Sequence, residues 1–288
     1  MQSKIILGTA QMGMNYGINN FNGKVGLDES IEILLEANKN QVELLDTAPV
    51  YGNAHNVIGA FHRMYPRIKY KVITKIPSGT ISKNLLEIVR EYIRELEVNH
   101  IEVLLFHSLN DYILMNENMS YLNLIKELKL VKHIGVSIYN NSEIEKILDD
   151  KFLEVIQLPF NLLDNFNLRG EYIQQLKNKG KIVHTRSAFL QGLFFMNKIH
   201  IHPDLQSKVK ELQKIAMTNN IPIEKLALLY CINNNNIDNV VIGVDSIQQL
   251  KRNFNFSTGF LKNDIIDAIN QIQITNIELL NPSLWTQK

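Results

Sequence analysis

VELLDTAPVYGNAHNVIG, residues 42–59, reads as one complete strand–loop–helix unit. Val42–Asp46 is a short apolar run of strand length that finishes on a carboxylate. Tyr51 follows Asp46 by five residues, in the loop after the strand, with Gly52 beside it. An acid at a strand end and a phenol in the following loop form a pair that a parallel sheet would present at one rim.

The same unit recurs along all 288 residues. Apolar runs at Ile5–Thr9, Val42–Asp46, Tyr70–Lys75, Ile101–His107, His133–Ser137, Val155–Leu158, Ile182–Arg186 and Val240–Gly243 read as strands. Helical spacing lies between them, as in Leu85, Ile88, Val89, Tyr92, Ile93 and Leu96. Asp28 and Ser30 precede one such run and Ser142 with Glu145 another, which predicts capped helix starts. Most strand ends are spaced like βαβ units, and no Pro/Gly/Ser linker divides the chain. The expectation is an α/β protein, a (β/α)8 TIM barrel, with residues 1–288 as a single domain. The widest interval, Arg186 to Gly243, is expected to hold a long loop (Ala188–Pro203) and two helices.

Six successive runs finish on a polar side chain: Asp46, Lys75, His107, Ser137, Gln157 and Arg186. Barrel active sites lie at the C-terminal ends of the strands, so these groups should meet at one mouth. Each alone favours a structural reading: a helix cap, a solvated lysine, a satisfied core histidine, a packing tyrosine. Together they make a coherent device. A free phenol titrates too high to donate a proton efficiently at neutral pH, and a neighbouring cation favours its ionised form. Lys75 would be that cation for Tyr51, Asp46 would keep Lys75 charged, and His107 would hydrogen-bond a substrate carbonyl oxygen. No side chain donates hydride, so a nicotinamide cofactor is implied.

Around these residues the sequence resembles the aldo-keto reductase family. DTAPVYGNAHNVIG (Asp46–Gly59) is similar to the family's Asp-Thr-Ala-x-x-Tyr-Gly signature, and ITK (73–75) and LLFH (104–107) to its lysine and histidine strands. IGVS, QLPFN, SAFLQGL and IGVDSIQQLKRN follow in the family's order, so the likeness runs from residue 4 to about 256. It implies carbonyl–alcohol interconversion with Asp46, Tyr51, Lys75 and His107 as the catalytic tetrad. It further implies cofactor contacts from Thr9, Ser137, Gln157, Arg186, Leu190, Gly192, Gly243, Ser246, Gln249 and Asn253, with Ser137 and Gln157 on the nicotinamide carboxamide and Asn253 at the adenine end. NADP(H) is the cofactor that the resemblance implies. The positions that often hold cations for its 2′-phosphate are here Gly243 and Gln249, with Asp245 nearby, so NAD(H) is the alternative. His55 stands where the family usually has glutamate. Arg186 stands where many members stack a tyrosine on the nicotinamide; it would stack there instead, bind a substrate anion, or form a structural ion pair.

Other classes have less support. Lys plus Arg number 30 against 29 Asp plus Glu, a balance that argues against nucleic acid as main partner. No apolar run reaches a membrane span. One cysteine, Cys231, excludes internal disulfides and points to a reducing, cytoplasmic setting. GTAQMGMNYG has the wrong glycine spacing for a Rossmann fingerprint. His200, His202 and Asp204 read as a polar loop rather than a metal site. The expected partner is a small-molecule carbonyl substrate, polar or sugar-like, from Asn15, Tyr16, Asn161 and Arg186, with Trp285 in reach of the pocket. A Schiff-base lyase using Lys75 and a non-catalytic cofactor-binding regulatory subunit remain as alternatives.

Overall fold

The computed structural model describes residues 3–80, 84–116, 119–196 and 202–285. Within them each apolar run becomes a strand of one parallel sheet: β1 (Ile5–Gly8), β2 (Leu44–Asp46), β3 (Lys71–Ile76), β4 (Ile101–Phe106), β5 (Val131–Ser137), β6 (Val155–Pro159), β7 (Ile182–Arg186) and β8 (Asn239–Gly243). The strands pair in chain order, and β1 closes on β8 through Ile5↔Val240 and Gly8↔Gly243. This is the closed barrel that the alternation of runs and helical stretches implies.

Strand edges move by a residue or two for identifiable reasons. Val42 lies outside β2 because its N–H returns to Ala37 O at the end of the preceding helix. β5 begins earlier than expected, at Val131, since that residue pairs with Ile101.

Two apolar layers follow from the period-two geometry of strands. Ile6, Ile73, Val103, Leu105 and Val155 are buried together inside the barrel, with Leu44, Ile182 and Val241 packed on them. The other face, including Ile5, Leu7, Val72, Leu104 and Ile156, packs against the helices. Helix Leu85–Leu96 shows the match between pattern and packing: Leu85, Val89, Tyr92 and Leu96 are buried on one stripe. Each such aliphatic side chain contributes about 1.5–3 kcal/mol on full burial.

The helix starts differ from the sequence expectation. Helix Asn141–Ile147 begins at the N-cap Asn140, two residues before Ser142, and Glu143 rather than Glu145 accepts from the Asn140 N–H at 2.7 Å. Asn caps as well as Ser, so the earlier box wins. Helix Leu27–Lys39 is capped by Gly26 backbone, with Ser30 Oγ donating back to Gly26 O at 2.7 Å and Asp28 lying in its first turn. The interval after β7 holds helices Pro203–Thr218 and Ile223–Ile232, as expected, preceded by a 3-10 turn at Leu190–Phe195. Cys231 is buried on the second helix. No helix among the described residues is long and apolar enough to cross a membrane.

Candidate active site

Strand parity delivers the polar residues to one mouth. Leu44, Ile73, Val103 with Leu105, Val155 and Ile182 face the barrel interior. Two residues further on the same face come Asp46, Lys75, His107, Gln157 and His184, and two beyond His184 comes Arg186. Asp46, Tyr51, Lys75, His107, Ser137, Gln157 and Arg186 all line a single cleft at this end.

Lys75 is almost wholly buried, and its ammonium donates to Asp46 Oδ1 at 2.7 Å and to Thr47 O at 3.0 Å. Burial presses such an ammonium toward neutrality, but the Asp46 carboxylate and Tyr51 outweigh it, so the Lys75 pKa lies above the ordinary lysine value. A lysine held as a cation is not a nucleophile, which removes the support for a Schiff-base lyase. The ammonium sits 5.0 Å from the centroid of the Tyr51 ring. Gln157 Nε2 donates to Asp46 Oδ2 at 2.8 Å, so both oxygens of the carboxylate are engaged. Burial first, and then the Lys75 charge, hold the His107 imidazole below its usual value and therefore neutral at pH 7.

The Tyr51 turn is clamped from beside β1. A Cβ on Gly13 would fall 1.6 Å from Tyr51 O, and one on Gly52 would fall 2.3 Å from Gly13 O. Gly52 also has φ +57, in the left-handed region. On the far side His55, 5 % exposed, hydrogen-bonds Thr74 Oγ1 through Nε2 at 2.9 Å and Glu95 Oε2 through Nδ1 at 3.0 Å. The family-unusual histidine thus ties the helix after Tyr51 to the strand that carries Lys75. Thr9 fixes the neighbouring strand end, its N–H and Oγ1 both donating to Asp46 O.

The cleft continues away from Tyr51. Thr9, Leu190, Gly192, Gly243, Gln249 and Asn253 line it, whereas Ser246 does not; its hydroxyl accepts from Gln249 N at the start of helix Ile247–Phe256. Ser187, Leu190, Gln191 and Gly192 all have positive φ along one wall, a strained conformation for the first three and an easy one for the glycine. Asp245, Glu224 and Arg252 line the same distant end, and Arg252 reaches Glu224 Oε1 at 3.7 Å. Gln249 Oε1 accepts from Asp245 N at 3.1 Å.

Some expected pocket residues lie elsewhere. Asn161 is fully buried and accepts from Leu163 N and Asp164 N, so it builds a turn. Trp285 donates to Leu279 O rather than entering the cleft. Asn15 is not among the lining residues, whereas Tyr16 is. His202 caps helix Pro203–Thr218, accepting from Asp204 N, while His200 lies outside the described residues. No group of three or more metal-ligating side chains occurs among the described residues. Residues that sequence reasoning passed over include His184, buried inside the barrel with Nδ1 unpartnered, and Tyr139, which stacks beneath Arg186. Period-two counting back from Arg186 would have found His184.

The chain matches the aldo/keto reductase family model over residues 4–274. It is 23% identical to an NADH-specific methylglyoxal reductase of Escherichia coli strain K12, covering 87% of this chain and 88% of that protein. It is 24% identical to an L-galactose dehydrogenase of Arabidopsis thaliana, covering 80% and 78% respectively. Among solved structures it resembles a holo-form aldo-keto reductase from Bacillus halodurans, with TM-score 0.78 at 19% identity over 94% of this chain and 92% of the other. A glycerol dehydrogenase from Gluconobacter oxydans superposes with TM-score 0.74 at 18% identity over 93% and 90%.

Proposed function

The chain belongs to the aldo/keto reductase family, and on that premise we propose that it reduces the carbonyl of a small polar metabolite to an alcohol, with Tyr51 as proton donor. The observation that carries this reading is the buried Asp46–Lys75 pair set against the Tyr51 ring in a cleft that also holds neutral His107.

The cleft suits a nicotinamide dinucleotide. It runs from the catalytic groups along a wall of left-handed backbone to the helix starting at Ile247, with Ser137 and Gln157 at the catalytic end. Bound there, a dinucleotide would supply the hydride that no side chain can. Tyr51 gives its hydroxyl proton to the carbonyl oxygen as carbon accepts the hydride. Lys75 stabilises the tyrosinate left behind, and Asp46, fixed by Gln157 and Thr9, keeps Lys75 in place and charged. His107, neutral, is able to donate an N–H to the same oxygen and so select the reactive orientation.

Charge at the distant end of the cleft supports NAD(H) over the NADP(H) expected from the resemblance. Two carboxylates, Glu224 and Asp245, stand there with one guanidinium, and that guanidinium is paired with Glu224. At that end an added 2′-phosphate would meet two carboxylates and no unpaired cation among the described lining residues, whereas a ribose diol suits carboxylate acceptors. The named substrates of the relatives are methylglyoxal and L-galactose, in keeping with a small hydroxylated or oxygen-rich carbonyl compound. The reading is tested by following NADH oxidation across sugar aldehydes, small ketoaldehydes and apolar aldehydes. Turnover of none of them, or of the apolar set alone, would reject it.

A further inference from the structure

We propose that Arg186 is an oxyanion receptor for the substrate, so that the carbonyl compound reduced here carries a carboxylate or phosphate. This rests on the reductase reading above and adds the charge of the substrate to it.

Arg186 ends β7 and is half-buried in the cleft wall. Its guanidinium lies 4.1 Å above the Tyr139 ring, with one nitrogen donating to Ile138 O at 3.2 Å and another at 3.5 Å from Ser187 Oγ. A guanidinium has five N–H donors, so most of them remain to be satisfied. Among the described residues it forms no ion pair. Two buried cations among the described residues are neutralised by carboxylates: Lys75 by Asp46 at 2.7 Å and Arg169 by Asp164 at 2.5 Å. Arg186 has no such carboxylate among the described residues, and it lines the cleft beside the catalytic groups.

Its field reaches His107 and Tyr16, which places the charge on the catalytic side of the cleft. Tyr16 flanks it; desolvation by the cleft walls and then Tyr51 hold that phenol above its usual value while Arg186 opposes them, so Tyr16 stays protonated and adds an O–H donor. Among the groups lining this end of the cleft, the Asp46 and Lys75 charges cancel each other, which leaves the Arg186 guanidinium. The proposed dinucleotide phosphates would lie along Leu190–Gly192 and Gly243–Gln249, toward the other end. A planar fork held from behind by an aromatic ring, with donors to spare, matches the paired oxygens of a carboxylate or phosphate.

Two matched pairs of substrates test this: glyceraldehyde with glyceraldehyde 3-phosphate, and butanal with succinic semialdehyde. In the wild type, kcat/KM is expected to favour the anionic member of at least one pair by roughly 10- to 100-fold, the worth of a charged hydrogen bond. Arg186→Gln should bring that ratio close to one, and Arg186→Lys should retain part of it. Equal use of both members, or a ratio that survives Arg186→Gln, overturns the proposal while leaving the reductase reading intact. Calorimetric titration of the protein–NAD+ complex with glycerol 3-phosphate and 4-hydroxybutyrate, against glycerol and butanol, gives a readout free of turnover. The anionic alcohols should bind to wild type and not to Arg186→Gln; binding of neither, or of both proteins alike, rejects the proposal even if no aldehyde is reduced. Weaker NADH binding in Arg186→Gln with an unchanged substrate ratio would assign the guanidinium to the dinucleotide instead. Failure of every carbonyl to oxidise NADH would count against the reductase reading alone.

Discussion

At the scale of single residues, chemistry depends on which groups are kept charged and which neutral. Tyr51 lies beside an ammonium that Asp46 holds protonated, and it is the proton source in the proposed reaction. Tyr51→Phe removes one oxygen and leaves the ring in place. Turnover should fall by at least about 100-fold, the usual worth of a positioned general acid, while NADH affinity by fluorescence titration stays nearly unchanged. Comparable kcat in both proteins would take Tyr51 out of its role. His184 presents the opposite case, an imidazole kept neutral: burial lowers its pKa from 6.5 to about 4. The native chain binds that proton more weakly than the unfolded chain does. Stability is therefore full above 6.5, declines as pH falls through the window, and levels off below about 4. The loss at pH 5 is roughly 2 kcal/mol from this group. Buried His55 and His62, also lowered chiefly by burial, add to it with the same sign. Urea midpoints measured from pH 7.5 to pH 5 should fall in the wild type and fall less in His184→Gln; parallel slopes would reject the assignment.

At the scale of elements, the catalytic end is assembled by contacts between a loop and its neighbours. The short helix Ala10–Gly13 presses on the Tyr51–Gly52 turn with no room for a methyl group at either glycine. Gly13→Ala must displace the turn that carries Tyr51. The expected result is a fall in kcat of at least about tenfold with the fold retained by circular dichroism, since proximity errors of an ångström are costly in catalysis. Wild-type kcat in Gly13→Ala would show that the turn adapts freely. Strand parity is the element-scale feature most plainly legible in the sequence: an apolar residue two places before Asp46, Lys75, His107 and Gln157 specifies the face. The capping box was less legible, because Asn140 and Ser142 are equally good caps and only the Glu143 contact chooses between them.

For the whole molecule, closure of β1 on β8 brings residues from both ends of the chain into one cleft, including Thr9, Gly243 and Asn253. Ligand binding there should stabilise the barrel as a unit. NADH at about 100 times its Kd contributes roughly 2.7 kcal/mol and raises Tm accordingly. The two carboxylates at the distant end predict that NADPH at the same concentration gives a smaller shift and a Kd higher by at least about tenfold. Equal or greater stabilisation by NADPH would overturn the cofactor proposal.

The barrel, its strand count and the convergence of Asp46, Tyr51, Lys75 and His107 were readable from the chain, because period-two alternation and the βα repeat are local properties. The partners those groups chose were not. Gln157 bonds Asp46 across 111 positions, Arg252 pairs with Glu224, Arg186 stacks on Tyr139, and Ser246 caps a helix instead of lining the cleft. Such choices follow from distances of a few ångströms between atoms far apart in the chain, and those distances exist once the sheet has closed.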